Sequence, residues 1–321
     1  MKKLFNKNKF CIFTFLTIFT LTLLLGCAKP VSESSKPEQS DTERILVDHL
    51  NREVVLPEKP ERILALTRAY MEELFELGVT PVGKVEEYTN RPEGVALPSV
   101  SNQATPDLEA IHGLNPDLIL ANTRQHGDLI EQLEETGASV FFVDPNRIDK
   151  DPLTDRILLF GEIMNEQEAA ESYVEKLDTL SAELQKQVAE QGYQTGLLMQ
   201  GGSETIQAAQ PTGLYGALLS RLGIENIVPT GLPGSDKSTW VVFDIETILQ
   251  KNPDVILVRA EGSKDKDPSN LLKTYQEDPQ WQGLTAVQEG KLFILPAKVN
   301  PGSISNEEAL KVTVKAICPQ P

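Results

Sequence analysis

The sequence predicts an α/β protein in which two Rossmann-like lobes with parallel sheets are joined by one long spine helix. Three observations lead to this class. Short apolar segments alternate with helical patterns, two blocks of residues recur in the second half of the chain, and a long helical stretch lies between the copies. Strands that are separated by helices are typical of parallel sheets covered by helices.

The amino terminus has the order of an export signal. A basic segment is followed by the apolar run Phe10–Leu25 and then by Leu-Leu-Gly-Cys27. This run is shorter than the roughly 20 residues of a membrane span, so residues 1–26 are predicted to be a signal peptide. The ending resembles a lipobox, which implies that Cys27 is lipidated. Residues 27–42 are polar and are predicted to form a flexible tether.

Composition excludes several classes of protein. The 321 residues are 40% hydrophobic and 24% charged, as expected of a globular protein, and carry a net charge of −17. An acidic chain repels nucleic acid, so no nucleic-acid partner is expected. Three cysteines are too few for a disulfide scaffold, and only Cys318 is left once the signal and the lipid site are set aside.

Six short segments are predicted to be buried strands, with helices between them. One of these helices covers Tyr70–Leu77 and ends at Gly78, a residue that commonly stops a helix. The predicted strands are Arg62–Leu66, Leu118–Ala121, Val140–Val143, Gly196–Gln200, Val255–Val258 and Leu292–Leu295.

Two recurring blocks indicate a duplicated lobe. The pattern Thr-x-x-Tyr-x-x-x-Leu-x-x-Leu-Gly begins at Thr67 and again at Thr212, an offset of 145 residues. The pattern Asp-x-Glu-x-Ile, followed by Asn-Pro-Asp and an apolar run, begins at Asp107 and again at Asp244, an offset of 137. The same order and internal spacing predict an N-terminal lobe over residues 43–150 and a C-terminal lobe over 192–321.

The spine is predicted over residues 151–191. Asp151–Ile163 forms a first piece, and Glu166–Glu190 continues without Gly or Pro after a capping-box-like start at Asn165 and Glu168. A helix of this length spans about 37 Å, roughly the size of a small domain. A spine that long between two lobes predicts that any closure of the lobes is small.

Several segments together resemble the helical-backbone class of solute-binding proteins of ABC importers, which carries ferric siderophores, haem and cobalamin. They are residues 47–66 and 73–83, both Asn-Pro-Asp strands, the spine, and residues 281–296, within about 44–318. The resemblance implies a monomeric, lipid-anchored protein that faces the outside or the periplasm. Such a protein hands its ligand to a permease dimer and is not an enzyme. The chain also lacks Gly-x-Ser-x-Gly, His-Glu-x-x-His and P-loop motifs.

The resemblance further implies that one glutamate of each lobe docks onto arginines of the permease. By local motif these are Glu109 in Asp-Leu-Glu-Ala-Ile and Glu225 in Leu-Gly-Ile-Glu-Asn-Ile. Two separated carboxylates give a two-point electrostatic registration. The plainer alternative is that both simply solvate the surface.

The ligand is expected beyond the carboxyl ends of the strands, where open α/β sheets bind ligands. Basic side chains recur at these positions, although the chain as a whole is acidic. They are predicted to form a cationic cleft for an anionic, oxygen-rich ligand, since arginine offers paired donors. Each alone could instead be a salt-bridged surface residue. The candidates are Arg68, Arg124, Arg147, Arg259 and Lys298.

Aromatic and amide side chains complete the predicted site. Tyr88 and Trp240 fall where the resemblance places aromatic contacts with the ligand, and Gln103 stands where some relatives have an aromatic residue. This departure favours a ligand held by hydrogen bonds over a flat corrin. A ferric siderophore is therefore expected, with haem or cobalamin as alternatives and a secreted enzyme as a more remote one.

No cofactor is expected, because the iron would be carried inside the chelator. Direct metal binding by the protein is not predicted, since His49, His112 and His126 are far apart in the sequence. His126 alone is a candidate axial ligand for haem.

Overall fold

The computed structural model describes residues 44–147, 150–202, 205–235, 237–260, 268–300 and 303–318. The predicted signal peptide, the tether and the lipidation site at Cys27 lie outside these residues. The predicted class is confirmed, because the described residues form an α/β fold with two separate sheets and helices around them.

The first lobe is built on a three-stranded parallel sheet in the order β3-β4-β5, preceded by an antiparallel ribbon of β1 and β2. Its strands are β1 (Arg44–Val47), β2 (Glu53–Leu56), β3 (Ile63–Ala65), β4 (Leu118–Asn122) and β5 (Ser139–Val143). Its helices are α1 (Arg68–Glu76), α2 (Pro92–Val95), α3 (Leu108–Leu114), α4 (Thr123–His126) and α5 (Ile130–Glu134).

The second lobe has a sheet in the order β11-β10-β6-β7-β9, with β8 beside β6. Its strands are β6 (Thr195–Gln200), β7 (Gln207–Ala209), β8 (Glu225–Asn226), β9 (Trp240–Val242), β10 (Val255–Arg259) and β11 (Leu292–Leu295). Its helices are α8 (Leu214–Arg221), α9 (Ile245–Lys251), α10 (Pro268–Glu277), α11 (Thr285–Gln288) and α12 (Asn306–Ile317), with a 3-10 turn at Trp281–Gly283.

All six predicted strands are present, each within one residue of its predicted ends, and they pair in parallel within their sheets. The helix predicted over Tyr70–Leu77 is α1, and Gly78 follows it with a φ of 75°. The antiparallel strands β7 and β9 were not predicted. They are three residues long each and are separated by about 30 residues, so no local hairpin signal marks them.

The spine consists of two helices, α6 (Asp155–Met164) and α7 (Gln167–Ala189). The predicted capping box at its centre is wrong, because Asn165 ends α6 in the left-handed conformation, at φ 58°. Glu166 caps α7 without a side-chain hydrogen bond. With 23 residues, α7 is about 35 Å long, as the uninterrupted sequence predicted.

One apolar core runs through both lobes and the spine, with Leu64, Phe160 and Leu257 among its fully buried members. A second core lies on the other face of the lobe 2 sheet, around Ile256 and Trp281. Side chains along a strand point alternately to the two faces of the sheet, so each face of the lobe 2 sheet packs in its own core. Among the described helices, none combines the length and the apolar character that crossing a membrane would require.

Candidate functional site

A cavity of about 210 Å³ lies between the lobes and is lined by both copies of the repeated Thr-x-x-Tyr block. Thr67 and Tyr70 approach it from lobe 1, and Thr212 and Tyr215 approach it from lobe 2. These residues stand at the amino ends of α1 and α8, so both helices direct their N-termini towards the same space. Helix N-termini favour negative charge.

The tyrosine of lobe 1 is held rigidly at the edge of this cavity. The Tyr70 hydroxyl donates to the carbonyl of Val143 at 3.1 Å and accepts from Asn122 Nδ2 at 3.2 Å. Burial raises the pKa of Tyr70 far above its usual value, so the hydroxyl stays protonated. The hydroxyl of Tyr70 is therefore a fixed part of the wall.

The tyrosine of lobe 2 is the centre of a cationic and aromatic cluster. The Tyr215 ring lies 4.8 Å from the Trp240 ring, and the Arg259 guanidinium stands over it at 5.2 Å. Burial raises the pKa of Tyr215, while the positive charges of Arg259 and, from lobe 1, Arg68 lower it. The two positive charges that act on the Tyr215 hydroxyl come from different lobes, and the hydroxyl itself donates to Asn300 Oδ1 at 3.2 Å.

Arg259 has a donor that the protein leaves unused. Its Nε is buried and has no hydrogen-bond partner among the described residues. A buried donor without a partner costs free energy, typically about 1–3 kcal/mol. The Nε of Arg259 is thus an unpartnered donor, among the described residues, beside the Tyr215 and Trp240 rings.

Arg124 links the two lobes. Its guanidinium donates to the backbone carbonyl of Lys237, in the loop of lobe 2 that precedes Trp240, and lies against the side-chain amide of Asn146, whose oxygen accepts from it when the amide is turned over. Asn146 lines the cavity, so this arginine stands at the edge of the same space. The structure therefore brings together Arg68, Arg124, Arg259 and Trp240 of the predicted site.

Gln103 belongs to the support of the cleft. Its Oε1 accepts from the backbone N–H of Arg68 at 3.3 Å, and its carbonyl accepts from His126 Nε2 at 2.6 Å. His126 is fully buried, and its Nδ1 accepts from the backbone N–H of Asn122 at 2.9 Å. Burial lowers the pKa of His126 and favours the neutral ring. With both ring nitrogens engaged, His126 is not available as a haem ligand, which corrects that expectation.

Tyr88 is not in the cleft, contrary to the sequence-based prediction. It is fully buried, its ring stacks on Phe75 at 5.6 Å, and its hydroxyl donates to Glu72 Oε2 at 2.7 Å. The ring is accommodated by the close approach of Gly94, where an added Cβ would lie 2.4 Å from Tyr88 Cε1. Tyr88 is therefore a core residue of lobe 1.

Two further candidates are exposed at the surface. Arg147 is exposed in the turn after β5, where its backbone N–H donates to the backbone carbonyl of Asp144 at 3.3 Å. Lys298 is exposed and pairs with Glu308 of α12 at 3.7 Å. Within lobe 2, Lys298 is thus already matched with an acid, which is the alternative that the sequence left open.

The two predicted docking glutamates occupy different kinds of position. Glu109 is exposed in the first turn of α3, directly after the N-cap Asp107. Glu225 is exposed on β8, opposite Thr195 at the amino end of β6 and hence at the far edge of the sheet from the cleft. The counterpart of Glu109 is Glu246, which follows the N-cap Asp244 in α9.

The structures of the two repeats support this correspondence between Glu109 and Glu246. Both α3 and α9 are seven residues long, both begin at an aspartate N-cap, and both end at a left-handed asparagine. Each then leads through Asn-Pro-Asp into a buried parallel strand. Within the repeat, Glu246 is therefore the counterpart of Glu109, and the docking role of Glu109 and Glu225 stays a prediction.

Sequence reasoning did not identify Tyr215 or Asn146 as residues of the site. Tyr215 could have been found, because it is the repeat partner of Tyr70 and both copies of the block end up facing one cavity. Asn146 lies just beyond the end of β5, where the ligand is expected, but as an amide it was not among the basic candidates. Among the described residues that line the cavity, Arg156 is the basic one; it is held by the Glu73 carboxylate, and its guanidinium lies 5.5 Å from the centre of the Tyr70 ring.

Metal chelation by the protein itself finds no support in the residues that the structure describes. Among them, no group of three or more His, Cys, Asp or Glu side chains is arranged to hold a metal ion. The donors of the cleft are arginine, amide and hydroxyl groups, which recognise anions and oxygen atoms.

Comparison with known proteins agrees with this arrangement. The family model described as "Periplasmic binding protein" matches residues 63–299. The ferric-anguibactin-binding protein FatB of Vibrio anguillarum is 26% identical over 313 residues, which cover 93% of this chain and 94% of FatB. The Fe(3+)-citrate-binding protein YfmC of Bacillus subtilis is 20% identical over 296 residues, which cover 89% of each chain.

Solved structures show the same fold. Staphylococcus aureus SirA, complexed with staphyloferrin B, superposes with a TM-score of 0.66 at 21% identity, covering 85% of this chain and 97% of SirA. Other relatives widen the range of ligands in the printed names. They include a vitamin B12-binding protein of Salmonella choleraesuis, 26% identical, and the haem uptake protein IsdE of Staphylococcus aureus, 21% identical. These two matches cover 66% and 78% of this chain, and 79% and 84% of those proteins.

Proposed function

This chain belongs to the periplasmic binding protein family, and from this premise we propose that it is the extracytoplasmic substrate-binding component of an ABC importer that captures a ferric siderophore. The family is one of binding proteins, which agrees with a role in capture and delivery. Relatives named as ferric-anguibactin-binding and Fe(3+)-citrate-binding support iron as the cargo.

The observation that carries the proposal is the cationic cluster between the lobes. Arg68, Arg124 and Arg259 come from both lobes of a protein whose net charge is −17, and they stand beside a cavity at which two helices begin. Concentrating positive charge in one cleft of an acidic protein favours an anionic ligand there. Ferric chelates of the citrate, catecholate and hydroxamate types present oxygen atoms that arginine can bind.

Haem and cobalamin fit the cleft less well. His126 is turned inwards and bonded at both ring nitrogens, so it offers no axial ligand. The amide of Gln103 and the hydroxyl of Tyr215 are polar contacts rather than a flat apolar surface. The cavity of about 210 Å³ is below the usual 300–1,000 Å³ of a ligand site, so the ligand sits at its mouth, among the arginines.

We further propose how the loaded protein is delivered. The lipid at Cys27 and the tether over residues 27–42 hold the monomer at the outer face of a membrane. Glu109 and Glu246, one per lobe and both in the first turn of equivalent helices, form the two-point contact with a permease dimer.

A titration against a ligand panel tests the proposed function. The panel holds ferric citrate, a ferric catecholate, a ferric hydroxamate, haem and cobalamin, with the iron-free chelators as controls. The readout is the fluorescence of Trp240, isolated in a Trp281→Phe variant, since Trp240 belongs to the cleft cluster. Saturable quenching by one ferric chelate at micromolar or lower concentration is expected.

The controls separate the alternatives. Tighter binding of haem or cobalamin than of any ferric chelate would replace the siderophore while leaving the family unchanged. Absence of binding to the whole panel would remove the proposed ligand class altogether. Equal binding of the ferric and iron-free chelators would contradict a cleft shaped for the iron-loaded form.

A further inference from the structure

Lobe 2 contains a second cavity, on the face of its sheet that points away from the spine. Its volume is about 700 Å³, and it is enclosed by the ends of β6, β7 and β9, by α9 and α10, and by the 3-10 turn that follows α10. The apolar wall is formed by Met199, Ile206, Phe243, Leu271, Tyr275 and Trp281.

This cavity is separate from the inter-lobe cleft. The two share no lining residue. Most of the apolar lining, including Met199, Phe243 and Trp281, belongs to the outer core, whereas Leu198 belongs to the core shared with the spine. At the strand ends the cavity also reaches Gln200, the neighbour of Arg259 on β10.

The floor of the cavity is a preformed aromatic surface. Tyr275 and Trp281 meet edge to face with ring centroids 5.0 Å apart. Trp281 is 4% exposed and Phe243 is 5% exposed, so both rings are fixed by the packing beneath them, while Val242 at the rim is 66% exposed. Protein interiors seldom leave voids much larger than a water molecule, so an apolar cavity of this size is the shape of a binding site.

The charge of the lining defines the class of ligand. Among the described residues that line the cavity, Asp278 alone carries a charge, and the other polar groups are amides and hydroxyls such as Gln200, Asn270 and Thr274. We propose that this cavity is a second small-molecule site, for a flat, largely apolar aromatic compound that is neutral or positively charged. Its chemistry is the opposite of the cationic cleft, so the ferric chelate and this compound do not compete.

The test uses Nile red, a neutral aromatic dye whose emission rises in apolar surroundings, and the purified protein. Thr274 lines the cavity from α10, and Thr274→Trp fills it. The neighbouring Lys273 pairs with Glu277 on the exposed surface, so Lys273→Trp adds the same side chain outside the cavity. Thr274→Trp is expected to weaken dye binding at least tenfold, and Lys273→Trp to change it less than twofold.

A second pair of variants keeps the test valid if Thr274→Trp folds poorly. Val242→Asp places a charge on the exposed rim of the cavity and should also weaken dye binding at least tenfold. Ile45→Asp makes the same type of change at a residue that is 59% exposed on the β1–β2 ribbon, and it should leave dye binding unchanged.

Competition by a matched series then tests the charge preference. 2-Naphthylmethanol, 2-naphthylmethylammonium and 2-naphthoate share one ring system and differ in charge. The neutral and cationic compounds should displace Nile red at concentrations at least tenfold lower than the carboxylate. The same ordering is expected in an Arg68→Gln, Arg259→Gln double variant, because the cleft plays no part.

Four results would overturn the proposal. The first three are an absence of saturable dye binding, equal loss of binding in Thr274→Trp and Lys273→Trp, and preferential displacement by 2-naphthoate. The fourth is loss of dye binding on removing the cleft arginines, which would place the dye in the inter-lobe cleft. None of these outcomes bears on the ferric ligand, which is tested through Trp240.

Discussion

Arg259 combines features that make it the most informative single residue of the cleft. It stands over the Tyr215 ring, acts together with Arg68 from the other lobe, and has a buried Nε without a partner among the described residues. A donor in this state gains a full charge-assisted hydrogen bond when an anionic ligand arrives. Replacing it removes an interaction that only the complex makes.

Arg259→Gln and Arg68→Gln are therefore each expected to weaken the binding of a ferric chelate about tenfold or more. The matched control is Lys298→Gln, since Lys298 lies in lobe 2 but pairs with Glu308, and its affinity should stay within twofold. Fluorescence or calorimetric titration measures all three variants. If the two arginine variants bind as tightly as the wild type, the cleft does not recognise charge.

Glu76 is a buried acid near the junction of α1, α12 and the spine. Burial raises its pKa to about 7, with Glu72 and Glu307 adding to the shift and Arg91 opposing it. Between the unfolded value and pH 7, the folded protein thus binds more protons at this site than the unfolded chain does. Its contribution to stability is present at low pH and is lost as the pH rises through 7.

Glu76→Gln removes this titration, because an amide does not ionise. The amide oxygen can still accept from Arg91, which also contacts Glu72. The variant should be more stable than the wild type at pH 8, by on the order of 1–3 kcal/mol, and close to the wild type at pH 5. Urea unfolding at both pH values measures the difference. A variant that is less stable by the same amount at both would show that Glu76 acts through its hydrogen bond instead.

At the scale of elements, α8 depends on a close approach to the end of β7. An added Cβ at Gly216 would lie 2.1 Å from the carbonyl oxygen of Gln210, and this backbone cannot move away as a side chain can. Because Gly216 follows Tyr215 directly, the same contact sets the position of the tyrosine at the cleft.

Gly216→Ala is expected to lower the unfolding free energy by about 1–3 kcal/mol and to weaken ligand binding as well. Gly113→Ala is the control, since Gly113 also lies in a helix, has a negative φ and has nothing within 4 Å of an added Cβ. That variant should be neutral or slightly stabilising. Thermal unfolding compares the two, and equal melting temperatures would show that α8 can shift without cost.

The strands differ in how well the sequence predicted them. The six parallel strands were predicted closely because each is a short apolar run before a turn. This local pattern is enough to predict a buried strand. The antiparallel β7–β9 pair was missed because its register joins Ala208 to Val241 across a long connection. Periodicity carries no information about such a pairing.

The candidate site was predictable to a similar degree. The rule that ligands bind beyond the strand ends selected Arg68 and Arg259, and in the fold the charges of both, from opposite lobes, act on Tyr215. The rule could not show that Lys298 pairs with Glu308 of α12, a contact that only the folded chain makes. Nor could it show that Tyr88 is buried in the lobe 1 core. Those outcomes depend on tertiary packing.

At the scale of the whole molecule, the continuous core through lobe 1, the spine and lobe 2 limits relative motion. Under the proposed function, the permease would therefore have to hold both lobes at once. Glu109 and Glu246, at equivalent positions of the two lobes, are the contacts that we propose for it.

Glu246→Ala is accordingly expected to reduce cellular uptake of the ferric chelate at least tenfold while leaving its affinity for the purified protein unchanged. Glu225→Ala is the matched control, and uptake should stay near the wild-type rate because Glu225 lies at the opposite sheet edge. Uptake of radioactive iron and equilibrium binding are measured side by side. Loss of uptake in Glu225→Ala but not in Glu246→Ala would reverse the assignment.

The position of the bound iron tests the central claim most directly. Crystals grown with the tightest-binding ferric chelate give an anomalous difference map at the iron absorption edge. We predict one iron site between the lobes, at the mouth of the cavity beside Tyr215, with the chelate oxygens bonded to Arg259 and Arg68. An iron site on any other surface, or a chelate that contacts one lobe alone, would contradict the account.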